Sequence, residues 1–142
     1  MRTAVIFQLA RETPEVLPAL SAHLAAVGLS VARTATLPAD RCPLEAALRR
    51  AAEGTVALVL TLGAAGAKPA DIAPDALAAV VTRPLPGMAE ALRAALPPPA
   101  AQLFRGQAGL RGGVLLVNLP PFPAADAALA AILPAVKAYL SP

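Results

Sequence analysis

The stretch with the clearest chemical potential is VLTLGAAGAKPADIAPDA, residues 59 to 76. Glycines at 63 and 66 permit positive φ and close backbone approach, so N–H groups there can converge on an oxyanion. Asp71 follows eight residues after Gly63, as an N-cap, a metal ligand or a group that polarises a substrate hydroxyl. An ordinary strand-to-helix turn is the alternative interpretation of the loop. No Gly-Lys-Ser/Thr ending marks a Walker loop.

The remaining reactive side chains favour structural roles. Asp40 is interpreted as a turn or cap residue, and Asp75 as a first-turn residue that complements the helix dipole. His23 is the only histidine, so the sequence predicts no metal site around it. Cys42 has no histidine nearby and is interpreted as a packed thiol rather than a nucleophile.

Strands and helices that alternate must position these residues. Buried or alternating apolar runs predict strands at about 3–9, 29–37, 56–62 and 114–119. Helical spacing, with Thr13 as N-cap and Gly28 as a stop, predicts a first helix between them. Further helices are predicted at about 43–53, 73–81, 84–96 and 124–140, and short strands or a hairpin at 102–113.

This order predicts a three-layer α/β fold: a mostly parallel sheet with helices on both faces, in one domain spanning 1–142. Ligands of such sheets bind at the carboxyl ends of the strands. Three loops leave strands there, at 63–73, at 118–123 and in the LPADR segment. They form the candidate site.

Composition narrows the function classes. Charged residues make up 15% of the chain, against about 25% in an average protein, and aromatics 3% with no Trp. A net charge of +3 on scattered Lys and Arg, with few aromatics, argues against a nucleic-acid partner. The single Cys42 excludes an internal disulfide, and no apolar run reaches the ~20 residues of a membrane span. We expect a soluble, cytoplasmic protein.

The order of the motifs resembles the molybdopterin-binding domain of the MoaB/Mog family of molybdenum cofactor biosynthesis. In that family a buried strand runs into T-x-G-G-T-G, followed by Arg-Asp and T-P-D/E-A. Later come R-x-x-P-G-x-x-E-x-x-R, L-S-R-x-x-A-G-x-R-G and N-L-P-G-x-P. The corresponding segments here are TLGAAG at 61–66, AD at 70–71, APDA at 73–76, RPLPGMAEALR at 83–93, LFRGQAGLRG at 103–112 and NLPPFP at 118–123. The resemblance is close over about 58–140 and loose before it.

The resemblance implies a site for molybdopterin and Mg-ATP as ligands, with no resident metal. Asp71 would coordinate Mg²⁺ or orient the ligand, and Asp40 is the second catalytic candidate. The implied ligand-binding residues are Gly63, Ala64, Ala65, Gly66, Lys68, Pro86, Gly87, Glu90, Arg105, Asn118 and Pro120. The resemblance also implies a homotrimer, so the expected partners are a small molecule and two further copies of the chain.

The departures from the family motifs are of one kind: scaffold residues remain while polar side chains are lost. Residues without polar side chains stand at Ala64, Ala65, Ala70, Ala73, Phe104, Pro121 and Ala124. We therefore expect a molybdopterin-binding protein with an eroded loop; if it is an enzyme, the resemblance implies a molybdopterin adenylyltransferase. The alternative is a non-catalytic paralogue that uses the fold for oligomeric assembly or for another small phosphorylated molecule.

Overall fold

The protein is described by a computed structural model over residues 2–9 and 14–142. Within this range the sheet has six strands in the order β2-β1-β3-β6-β5-β4. The first four strands in that order are parallel, while β5 is antiparallel to both β6 and β4. The prediction of a mostly parallel sheet is confirmed.

The strands are β1 (Arg2–Leu9), β2 (Leu29–Leu37), β3 (Leu58–Leu62), β4 (Arg83–Pro84), β5 (Ala108–Arg111) and β6 (Val114–Leu119). A 3-10 turn at Pro14–Val16 leads into the first helix. The helices are α1 (Leu17–Ala26), α2 (Arg41–Ala52), α3 (Ala73–Val80), α4 (Pro86–Ala94), α5 (Ala100–Leu103) and α6 (Ala125–Leu140).

Each face of the sheet is covered by its own helices, because the strand side chains alternate. The first face packs against α1, α4 and α6 through residues such as Leu24, Leu92 and Leu129. The second face packs against α2 and α3 through residues such as Leu48 and Leu77. All five residues of β3 are buried, as predicted for a strand covered on both sides. The three-layer prediction is confirmed.

Several predicted boundaries differ from the structure. Helix α2 begins at Arg41 rather than at Pro43, because a proline in the first turn removes an N–H that needs no intrahelical partner. The 102–113 segment contains one strand, β5, so no hairpin forms within it; β5 instead pairs antiparallel with the following strand β6. Strand β4 and helix α5 had no sequence signal. The predicted N-cap Thr13 lies outside the described residues.

None of the helices in the described part of the chain combines the length and apolar character needed to cross a bilayer. The loop that follows β3 lies at the carboxyl edge of the parallel strands, as predicted. The segment after β6 ends at the same edge. The LPADR segment after β2 also leaves at this edge, because β2 is parallel to β1, so all three candidate loops lie along it.

Candidate functional site

The loop after β3 has an unusual backbone. Gly63 and Ala64 both adopt positive φ, at 89° and 53°. Glycine does so freely, whereas alanine in this region costs about 1 kcal/mol or more. The Gly63 N–H donates to the carbonyl of Leu119 at 3.2 Å, which ties the loop to the end of β6. The fold therefore imposes on Ala64 a conformation that its Cβ disfavours.

The backbone N–H groups of the four residues that follow Gly63 have no hydrogen-bond acceptor among the described residues. Those of Ala64, Ala65, Gly66 and Ala67 donate to no acceptor within residues 2–9 and 14–142. Ala65 is nevertheless almost fully buried, at 1% exposure. Successive N–H groups in such a concave turn attract an anion.

Asp71 braces this loop from within. One of its carboxylate oxygens accepts the backbone N–H of Lys68 at 2.9 Å, and its own N–H donates to the Lys68 carbonyl at 2.9 Å. The N-cap of α3 is Ile72, and no side chain caps it. The N-cap interpretation of Asp71 is therefore wrong, because the carboxylate is turned back onto the loop.

Gly66→Ala is expected to break this brace. A Cβ at position 66 would lie 2.8 Å from Oδ2 of Asp71, so the carboxylate or the loop must move. We expect about ten-fold weaker binding of any ligand held by the loop, equivalent to ~1.4 kcal/mol. Isothermal titration calorimetry measures it. Gly87→Ala is the matched control, because its Cβ meets nothing within 4 Å. Equal affinities of the two variants would contradict the prediction.

Arg105 holds the loop from outside. Its Nε donates to the carbonyl of Gly66 at 2.9 Å, and Nη2 donates to the carbonyl of Asp71 at 2.8 Å. The guanidinium also donates to both carboxylate oxygens of Asp75, at 3.3 and 3.0 Å. Its backbone N–H donates to the carbonyl of Ala65 at 2.8 Å. With these bonds Arg105 positions the loop, and its guanidinium is already engaged by groups of the protein.

The Asp75–Arg105 pair is reflected in the ionisation of both groups. The hydrogen bond from Arg105 lowers the pKa of Asp75 below its ordinary value of 3.8. The same hydrogen bond raises the pKa of Arg105. Both side chains are about two-fifths exposed, at 43% and 42%, so solvent screens the pair. The interpretation of Asp75 as a helix-dipole residue therefore misses its main partner.

The Asp75→Asn variant is expected to lose this ion pair, with an effect of about 0.5 kcal/mol at pH 7. Because the folded pKa of Asp75 is depressed, its contribution is complete above pH 3.8 and is lost as pH falls through the lower folded pKa. Urea unfolding from pH 7 down into strong acid should show the variant less stable at neutral pH and equal to the parent once the pH is below the folded pKa of Asp75. Glu53→Gln serves as control, since Glu53 makes no ion pair with described residues. A constant difference at every pH would contradict the prediction.

Asn118 is an internal connector. It is fully buried, and its Oδ1 accepts the Gln107 N–H at 2.9 Å. Its Nδ2 donates to the hydroxyl of Thr61 at 2.7 Å and to the carbonyl of Ala73 at 3.4 Å. These contacts lie on the second face of the sheet. The predicted ligand-binding residue instead joins β3, β6 and α3.

Other predicted residues lie apart from the loop. Pro86 and Gly87 form the first turn of α4, and Glu90 is exposed farther along that helix. Asp40 is exposed and flanks α2 without making a capping bond. None of these residues lines the cavity beside the loop. The structure therefore does not bring Asp40 together with Asp71 in a shared cleft.

The cavity beside the loop is an apolar cleft of about 510 Å³. Its lining includes Lys68 and Asp71 as the charged side chains, and the other side chains are apolar. From here on it is called the carboxyl-edge cleft. Its lining residues are Ala64, Ala65, Gly66, Ala67, Lys68, Asp71, Leu96, Pro97, Ala100, Leu103, Phe104, Pro120, Pro121, Phe122, Pro123 and Ala124.

Sequence reasoning found the floor of this cleft but missed its walls. Leu96 follows the end of α4 and Leu103 is the last residue of α5; motif segments lie beside them, but neither residue was assigned to the site. Phe122 belongs to the proline-rich turn, of which only Pro120 was assigned to the site. Apolar wall residues have no sequence signature, since they look like ordinary core residues. Five departures from the family motifs, at 64, 65, 104, 121 and 124, also line the cleft.

A second cavity, of about 530 Å³, lies at the amino edge of the sheet. Two of its polar side chains, those of Arg2 and Tyr139, are already engaged with the backbone. Arg2 donates to the carbonyl of Leu140, and the Tyr139 hydroxyl donates to the carbonyl of Gly113 at 3.0 Å. Ligands of parallel sheets bind at the opposite, carboxyl edge. The carboxyl-edge cleft is therefore the candidate site.

The two remaining reactive residues are also located. His23 Nε2 lies 2.6 Å from Asp126 Oδ1, joining α1 to α6, as a structural histidine would. Cys42 is exposed, so its interpretation as a packed thiol is wrong. Among the described residues, no group of three or more His, Cys, Asp or Glu side chains could hold a metal ion.

Residues 14–138 match a family described as a probable molybdopterin binding domain. The chain belongs to this family. It is similar to the molybdopterin biosynthesis enzyme MoaB of Thermus thermophilus, with 30% identity, a TM-score of 0.86, and coverage of 98% of this chain and 96% of that one. It is equally similar to the molybdopterin biosynthesis Mog protein of Mycobacterium ulcerans, with 30% identity, a TM-score of 0.86, and coverage of 98% and 99%.

A more distant likeness concerns the fold alone. The tungsten cofactor synthesizing protein MoaB of Pyrococcus furiosus matches with 21% identity and a TM-score of 0.81, covering 96% of this chain and 92% of that one. The resemblance to the MoaB/Mog family is confirmed. Together, the family and its neighbours support a role in molybdenum cofactor biosynthesis.

Proposed function

We propose that this protein binds molybdopterin in the carboxyl-edge cleft without adenylylating it. The observation that carries the proposal is the loop after β3. Four successive N–H groups, from Ala64 to Ala67, have no acceptor within the described residues, at the floor of an apolar cleft. Backbone donors can hold the phosphate of a phosphorylated pterin without help from side chains. The cleft's apolar walls can cover the ring.

The chemistry of adenylyl transfer finds less support. A Mg²⁺ ion between phosphates usually takes one or two carboxylates besides water. Within the described part of the chain, Asp71 is the only carboxylate that lines the cleft, and one of its oxygens already accepts the Lys68 N–H. These residues fit a Mg-ATP complex poorly. The described residues therefore do not supply the carboxylates that a Mg²⁺-dependent adenylyl transfer needs.

The volume of the cleft is consistent with this proposal. At about 510 Å³ it falls in the usual range of small-molecule sites, roughly 300–1,000 Å³. A non-catalytic paralogue that uses the fold for assembly is the second candidate. The half-exposed Leu103 and Phe122 favour it, because large apolar side chains at a surface also suit a protein contact.

Calorimetric titration of the protein with molybdopterin tests the proposal. We expect saturable binding, and clearly weaker binding by the Gly66→Ala variant, in which the loop is displaced. The Gly87→Ala variant should bind like the parent. No heat of binding from any of the three proteins would refute the proposal and favour the assembly candidate.

The homotrimer stays a prediction, supported by the family resemblance and by the low charge density of the surface. Multi-angle light scattering at micromolar concentration should give three times the monomer mass of 14.2 kDa. A monomer mass would contradict it. A cytoplasmic location is likewise a proposal that rests on the family's role in biosynthesis.

A further inference from the structure

The carboxyl-edge cleft combines two unlike surfaces. Its floor is formed by residues 64–67, whose N–H groups have no acceptor among the described residues, and by Lys68. Its walls carry apolar side chains from Leu96, Leu103, Phe104 and Phe122. A ligand that matches both surfaces needs an anionic group and an apolar body.

The positive charge available to a ligand is small. Among the described residues, Lys68 is the only cationic side chain that lines the cleft, and it makes no ion pair with any of them. The guanidinium groups of the neighbouring Arg93 and Arg105 already donate hydrogen bonds within the protein. Arg105 is engaged by the loop and Asp75, and Arg93 donates to the Phe104 carbonyl at 3.2 Å. Asp71, which also lines the cleft, adds negative charge. One anionic group is compensated here, whereas a triphosphate leaves most of its charge unmatched.

The apolar surface offered to a ligand is large. Only three large hydrophobic side chains are notably exposed in the described part of the chain, and two of them, Leu103 at 54% and Phe122 at 48%, line this cleft. Apolar surface that a ligand covers contributes to its affinity roughly in proportion to its area. The wall therefore increases the affinity for a ligand with an apolar body, and it adds little affinity for a sugar or for further phosphates.

We infer that the carboxyl-edge cleft selects small molecules that carry one anionic group, phosphate or carboxylate, on an apolar ring body, and that it discriminates against polyanionic nucleotides. This specificity rests on the same cleft as the proposed function and deepens it. Molybdopterin shares with this class a fused ring body and a single phosphate, although its pterin also carries polar N–H and C=O groups. ATP falls outside the class.

Calorimetry with simple probes tests the inference. 1-Naphthyl phosphate should bind at least about ten-fold more tightly than inorganic phosphate, because the ring covers the apolar wall. It should also bind more tightly than AMP or ATP. 1-Naphthoate tells whether a carboxylate serves as well as a phosphate. If neither naphthyl compound binds more tightly than both inorganic phosphate and ATP, the inference is overturned.

Two variants with matched controls assign the binding to this cleft. Lys68→Ala should weaken 1-naphthyl phosphate about three- to ten-fold, while Lys137→Ala removes the same charge elsewhere and should not. Leu103→Ser should weaken it similarly, while Tyr139→Ser alters an exposed ring at the opposite edge. Equal effects of each variant and its control would refute the site.

The outcome is separable from that of the proposed function. Molybdopterin binding without any preference for naphthyl compounds would refute the inference and leave the proposed function intact. Naphthyl binding without molybdopterin binding would support the inference and refute the proposed function.

Discussion

Replacing Asn118 by leucine is expected to lower the free energy of unfolding by about 2–4 kcal/mol. The amide joins three elements: it accepts the N–H of Gln107 and donates to the hydroxyl of Thr61 and the carbonyl of Ala73. Leucine has a similar size but no polar atoms, so the buried Thr61 hydroxyl and Ala73 carbonyl and the N–H of Gln107 all lose a partner. Urea denaturation monitored by circular dichroism measures the change.

A double-mutant cycle separates this network from simple packing. Thr61→Val removes the hydroxyl partner with little change of shape, and Thr61 is also fully buried. If the hydrogen bond at 2.7 Å carries part of the effect, the combined variant should cost clearly less than the sum of the single variants. A cost below about 1 kcal/mol for Asn118→Leu would contradict the role as connector.

The fold could be predicted from the sequence where strong signals bounded an element. Strands β2 and β6 have the predicted bounds because Gly28 and Pro120 flank runs of β-forming residues. Strand β4 could not be predicted. It has only two residues, and it exists because Thr82 and Leu85 donate backbone hydrogen bonds to the β5 segment. Such pairing over long sequence separation leaves no local pattern.

The position of the site could also be predicted, but the direction of its side chains could not. The rule of the carboxyl edge placed the 63–73 loop correctly. Asn118 shows the limit, because one residue along a strand decides the face of the sheet. Leu119 packs on the first face with the cleft, and Asn118 points to the second. A motif match does not tell which face of the sheet a residue points to. That face can be assigned only by tracing the alternation of side chains along the whole strand.

Arg105 illustrates a second limit. Its sequence context suggested a cation for the ligand, but its partners lie at least thirty residues away, at Gly66, Asp71 and Asp75. Those contacts depend on the packing of the 104–107 segment against the loop. A sequence shows that a residue is charged, but it does not show whether hydrogen bonds and ion pairs within the fold already occupy that charge.

AMP transfer to molybdopterin from Mg-ATP is expected to proceed at the background rate. Transfer requires groups that stabilise charge as it develops, and each missing donor typically costs ~10²–10³ in rate. Of the residues that the structure describes, only Lys68 and Asp71 bring charged side chains to the cleft, and Asp71 is partly committed to the loop. The lost factors need not multiply. Two missing donors would still bring turnover close to the uncatalysed reaction.

The assay follows radiolabelled AMP with the unmodified protein, with Asp71→Ala and without protein. All three should give the same rate. Restoring chemistry is harder than the motif suggests, because Ala65 and Ala73 are 1% and 0% exposed, so threonines there would enter packed core. Ala70, which is exposed, and Ala124, at the cleft wall, are the positions where a cation can be added without such a cost. Robust turnover by the unmodified protein that disappears in Asp71→Ala would show that the loop still performs catalysis. In that case one carboxylate and one lysine, with backbone donors, would be sufficient for it.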